Sequence, residues 1–152
     1  MSVNRGKQFE SIIKDAFLSV DGVSIDRIYD NMSGFSSVCG ICDFIVYKEP
    51  YEYYIECKSV HGNLLPFSNI TPNQWRGMLE KSKIQGVRAG VICWWCDKDI
   101  TMYIPIQVLQ HYKDMGAKSI RFDDQFSELI HIKGKKKRVF YEYDMEDFFN
   151  EV

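Results

Sequence analysis

The stretch Val87–Trp95 (VRAGVICWW) contains an apolar run, Ala89–Trp95, that no charge interrupts. It falls far short of the roughly 20 residues needed to cross a bilayer. A run this short and apolar predicts a buried strand. Just upstream, Thr71-Pro72 offers an N-cap hydroxyl followed by proline at the first helical position, so a helix is expected from there to about Gln85, stopped by Gly86. Before that helix, Cys42–Lys48 and Tyr53–Val60 read as strands around a turn at Glu49-Pro-Tyr-Glu52. Thr101–Ile104 is expected as the hairpin partner of the apolar strand, and Pro105–Met115 as a surface helix ending at Gly116.

The N-terminal part opens with helical spacing, since Phe9, Ile12, Ile13, Ala16, Phe17 and Val20 share one face and Gly22 ends it. Val23–Tyr29 reads as a short strand and Asn31–Gly40 as a Ser/Gly-rich loop. Ile120–Val152 is expected to hold one or two strands flanking a basic turn at Gly134–Arg138, then a short acidic end. The order α-β-β-β-α-β-β-α specifies an α/β domain with a mixed sheet, not a bundle or sandwich.

With 152 residues and 45% hydrophobic content, the chain is expected to form one domain, with no need of staples to hold its core. No signal-peptide pattern precedes the first helix, so a soluble, cytoplasmic protein with no membrane partner is expected. The formal charge of −2 gives no general basic excess, so any nucleic-acid contact must come from local patches or a bound cation. Five cysteines in such a compartment are expected as free thiols.

The chemistry concentrates in Asp43 and the later Glu56-Cys57-Lys58. Residues i and i+2 of a strand share a face, so Glu56 and Lys58 point the same way. If the turn closes Lys48 against Tyr53, Asp43 lies opposite Lys58 and diagonal to Glu56. Two adjacent carboxylates repel, and a divalent cation relieves that repulsion; oxygen donors favour Mg²⁺ or Mn²⁺. With a lysine to orient water, the set suits metal-dependent phosphodiester hydrolysis. An exposed cross-strand ion pair is the plainer alternative.

Asp43 with Glu56-x-Lys58, behind a helix carrying Glu10, resembles the PD-(D/E)XK nuclease superfamily, and more narrowly the RecU-type Holliday junction resolvases of Gram-positive bacteria and their phages. Asn4-Arg5-Gly6 with Phe9-Glu10, Pro66-Phe-Ser-Asn69 with Gln74, and Ala89–Trp95 are similar to further stretches of that family. The similarity spans roughly Asn4 to Tyr103. It implies a restriction-endonuclease-like mixed β-sheet flanked by helices, order α-β-β-β-α-β, in a single nuclease domain over 1–152 with its core at about 4–104 and a C-terminal extension at 105–152. It further implies Mg²⁺ (Mn²⁺ as substitute) on Asp43 and Glu56, catalytic roles for Lys58, Glu10 and Gln74, branched DNA as substrate, and a homodimer matching the junction's two-fold symmetry. Two departures stand out. Only Tyr29–Gly40 is available where that family inserts a long stalk, and Ile41 stands where it usually has a hydroxyl residue.

Other residues carry two readings each. Gln74 also completes a capping box with Thr71, and Glu10 also fits a solvent-facing helix position. Cys39-x-x-Cys42 and Cys93-x-x-Cys96 could supply a tetrahedral zinc site, but Cys93-Trp-Trp-Cys96 continues a strand whose ends face opposite sides. His61 could touch a phosphate. Arg5, Lys7, Arg76, Lys81 and Lys83, together with Lys135, Lys136 and Lys137 in the basic turn, are candidates for a DNA-backbone footprint; solvated lysines are the alternative. Two further functions remain open: a repair or restriction-type nuclease on duplex DNA, and a non-catalytic DNA-binding or zinc-stabilised module.

Overall fold

The computed structural model describes residues 4–28, 40–123, 130–136 and 141–152. Helix α1 (Arg5–Leu18) is followed by β1 (Ser24–Arg27), β2 (Phe44–Lys48), β3 (Tyr51–Val60) and the short β4 (Leu64–Pro66). A single 3₁₀ turn (Phe67–Asn69) leads to α2 (Pro72–Ser82), then β5 (Val87–Trp95), β6 (Ile100–Pro105) and α3 (Ile106–Asp114). The rest comprises β7 (Ser119–Arg121), β8 (Ile130–His131), β9 (Gly134–Lys136), β10 (Tyr141–Tyr143) and α4 (Glu146–Glu151). Among the described residues the main sheet has six strands in the order β1-β2-β3-β5-β6-β8. Only β3 and β5 run parallel, joined by the α2 crossover; the other neighbours are antiparallel.

Both faces of the sheet are covered, which is why β5 is apolar and buried from Ala89 to Trp95. One face, with Tyr54, Val91 and Cys93, meets Trp75 and Met78 of α2 and Ile106 and Leu109 of α3. The opposite face, with Phe44, Val46, Tyr53, Ile55 and Ile92, meets Phe9, Ile13 and Phe17 of α1. Residues 141–152 also belong to this second layer. Tyr143, Met145 and Phe148 are buried there, so the expected acidic end is a helix that closes the core. Gly90 leaves no room for a side chain, since a Cβ there would meet the Ile104 carbonyl oxygen at 2.5 Å.

The β2–β3 turn is tighter than the sequence suggests. Glu49 and Pro50 alone connect the strands, and Lys48 lies opposite Tyr51, not Tyr53. The register therefore slips by two residues. An even slip leaves every side chain on its expected face. Helix α2 likewise ends earlier than expected, at Ser82, and Lys83 caps it.

Candidate active site

Main-chain pairing of β2 with β3 stops at Phe44 and Ile55, and Asp43 continues it in two ways. Its N–H donates to the Ile55 carbonyl (3.0 Å), and its Oδ2 accepts from the Cys57 N–H (2.8 Å). The carboxylate is thus fixed beside Glu56 on the face that α2 covers. Glu56 is 3% exposed. Its Oε1 accepts from Lys58 Nζ at 3.0 Å and from Gln74 Nε2 at 3.1 Å, while Oε2 is buried with no hydrogen-bond partner among the described residues. An unpartnered carboxylate oxygen is costly unless something binds it. A divalent cation meets that need, and the all-oxygen set of Asp43 and Glu56 suits Mg²⁺. Among the described residues no three or more His, Cys, Asp or Glu side chains are grouped around one point, so water and substrate oxygens would fill the remaining positions.

Burial pushes both carboxyls up. Asp43 reaches about 6 through desolvation, opposed by the Cys57 N–H; Glu56 reaches about 7 through desolvation, then repulsion by Asp43. Protons are held more tightly in the folded chain, so stability is fully present below the ordinary carboxylate range and falls as pH rises through 6 and 7. For Glu56 alone the loss is roughly 3 kcal/mol, since its carboxyl rises from 4.5 to about 7 and one pKa unit corresponds to about 1.4 kcal/mol. Thermal melting of the metal-free chain should therefore fall more between pH 5 and 8 than that of Glu56→Gln. Added Mg²⁺ should raise the melting temperature at pH 8 far more than at pH 5. Parallel curves for the two proteins would show that Glu56 carries no such strain.

Gln74 makes the expected capping box and also reaches Glu56. Its Oε1 accepts from the Thr71 N–H at 3.0 Å, completing the capping box, while its Nε2 holds Glu56. Helix α2 gets this close because Gly77 has no side chain: a Cβ there would meet Ile41 at 2.9 Å. Ile41, where the resemblance led to a hydroxyl, is a packing residue against that helix.

Glu10 belongs to the opposite layer, on α1, where Arg27 of β1 donates to its Oε2 at 2.6 Å. Its negative charge still helps raise both Asp43 and Glu56, and the positive charge of Arg27 opposes the rise at Asp43. Arg27 was not singled out from sequence. Nothing in its neighbourhood in the chain marks it, and Glu10 lies 17 residues away.

His61 is tied to Asp97 at 3.0 Å, at the ends of the parallel strands β3 and β5. Arg5, Lys7 and Arg76 are exposed, Lys83 pairs with Glu80 at 3.2 Å, and Lys81 lies 5.4 Å from the Tyr54 ring. Lys135 and Lys136 fall on β9, whose side chains there are not described, and Lys137 and Cys39 lie outside the described residues. Cys93 and Cys96 belong to opposite faces of the sheet, and burial pushes both thiols up, Cys93 well above its ordinary value. A shared metal needs thiolates on one side; these two do not meet that geometry.

No family model matches the chain, and no curated protein matches it. Among solved structures it is similar to Hjc, a Holliday junction resolvase from the archaeal hyperthermophile Archaeoglobus fulgidus. That match has a TM-score of 0.52 and covers 84% of this chain and 88% of that one at 13% identity. The protein shares that structure's restriction-endonuclease-like fold, a mixed sheet flanked by helices.

Proposed function

We propose that this protein is a divalent-metal-dependent DNA endonuclease that cuts four-way or branched junctions, in the manner of a compact RecU-type resolvase. The observation that carries the reading is the buried, unpartnered Oε2 of Glu56, flanked by Asp43, Lys58 and Gln74. The similar fold of a Holliday junction resolvase supports it. Asp43 and Glu56 would hold Mg²⁺, or Mn²⁺ in its place, and the bound ion supplies Lewis acidity to a phosphate and its attacking water. Lys58, 21% exposed at its side chain and bonded to Glu56, would stabilise charge developing on a phosphate oxygen. Gln74 holds Glu56 in one orientation, and the Arg27–Glu10 pair sets the charge balance behind Asp43.

Arg5, Lys7, Arg76, Lys81 and Lys83, with Lys135–Lys137, would contact the DNA backbone and position it without reading bases. A homodimer would make the paired, opposed cuts that resolution requires. The test compares a synthetic four-way junction with linear duplex, in Mg²⁺, in Ca²⁺ and in chelator. Cutting of the junction in Mg²⁺ alone, with Ca²⁺ supporting binding but not cleavage, is the expected result. Equal cutting of both substrates would make it a duplex nuclease. No cutting of either, with DNA still bound, would leave a non-catalytic module.

A further inference from the structure

We propose that a second site, on the side of α2 facing α3, binds a single nucleotide of an unpaired DNA strand; the choice of occupant rests on the nuclease reading above. A cleft of about 530 Å³ opens there, walled by Phe67, Ser68, Trp75 and Ala117, with Lys113 and Lys118 on its rim. That volume suits a mononucleotide-sized ligand.

The cleft is rigidly framed. The Phe67 N–H donates to the Lys118 carbonyl at 2.9 Å, β4 pairs with β7 through Pro66 and Ser119, and the Trp75 indole donates to Gln110 Oε1 of α3 at 2.7 Å. Neither lysine takes a carboxylate partner among the described residues. The neighbouring Asp114 accepts from Gln110 instead, and Lys113 Nζ rests 4.5 Å from the Trp75 ring. Two uncompensated cations beside an apolar wall match an anion joined to a flat apolar body. A nucleotide is such a molecule: its phosphate pairs with the ammonium groups while its base lies against the wall.

Its place in the fold favours a strand of DNA over a free metabolite. Gln74 and Trp75 are consecutive on α2, the first holding Glu56 and the second forming the cleft. A strand leaving the candidate centre across the start of α2 reaches the cleft within a few nucleotides, at about 3.4 Å each. A frayed or branched strand has unpaired bases to offer there, and an intact duplex does not.

The test titrates thymidine 5′-monophosphate, inorganic phosphate and dodecanoate into the ¹⁵N-labelled, metal-free full chain, followed by amide and indole NMR shifts. The nucleotide should move the Trp75 indole and the Ala117 and Lys118 amides, and the double variant Lys113→Gln/Lys118→Gln should weaken that binding at least ~10-fold. Equal shifts from inorganic phosphate, tighter binding of dodecanoate, or no shift at these residues would each overturn the proposal. The readout needs no cleavage. Nucleotide binding in a chain that cuts no junction would retain the site and remove the functional reading; cleavage without nucleotide binding would do the reverse.

Discussion

Glu56→Gln should lower metal-dependent DNA cleavage at least ~10³-fold and yet make the metal-free chain more stable at pH 8. The first effect follows from removing a charged oxygen at the point where a cation is needed, a change that typically costs several kcal/mol of transition-state stabilisation. The second follows from the same burial. At pH 8 the wild-type carboxylate is ionised, desolvated and beside Asp43, and the amide keeps an oxygen for Lys58 and Gln74 without that charge. A gain of roughly 3 kcal/mol corresponds to about 6–12 °C in a chain of this size. Asp43→Asn and Lys58→Ala should match the loss of cleavage, but Lys58→Ala should destabilise, because it strips Glu56 of its counter-charge. Cleavage by Glu56→Gln within tenfold of wild type would remove Glu56 from the mechanism. Lost cleavage together with lost stability would mean instead that its role is structural.

Phe148→Ala should be the most damaging single truncation outside the site. The ring is 2% exposed and packs at 5.2–5.6 Å between centroids against Phe17 of α1, Tyr53 of β3 and Tyr103 of β6. Removing a buried phenyl group costs about 3–5 kcal/mol, here roughly 6–20 °C of melting temperature. Deleting residues 141–152 should be worse, since it uncovers the α1 side of the sheet. A melting temperature within about 2 °C of wild type for Phe148→Ala would show that α4 is an appendage to a core complete without it.

Legibility in the sequence followed the range of the forces involved. The shared face of Asp43, Glu56 and Lys58 depends only on the two-residue period of a strand, so it survived a turn closed in the wrong place. Gln74 was readable because the capping box is local. The Arg27–Glu10 pair was not, since α1 and β1 are brought together by packing that no nearby residue encodes. Strands β4 and β7 have three residues each, too few for alternation to register. Helix α4, at six residues, is too short for a helical period; its only local sign is the acidic pair Glu146 and Asp147 in the first turn. Phe148 and Phe149 beside them carry no readable signal in that acidic end until the aromatic layer they join is known.

The doubly bonded Gln74 narrows what evolution or design can place at that position. A capping box accepts glutamate as readily as glutamine at its third helical residue, and either carboxyl oxygen would satisfy the Thr71 N–H. Glutamate, however, has no N–H to offer Glu56, and it would bring a further negative charge against a carboxylate already buried with Asp43. A swap that is silent on an ordinary helix becomes forbidden here for electrostatic reasons alone. Substitution tolerance at residue 74 thus reports on the charge of the neighbouring strand: Glu should become acceptable in a chain that already carries Gln at position 56, and only there.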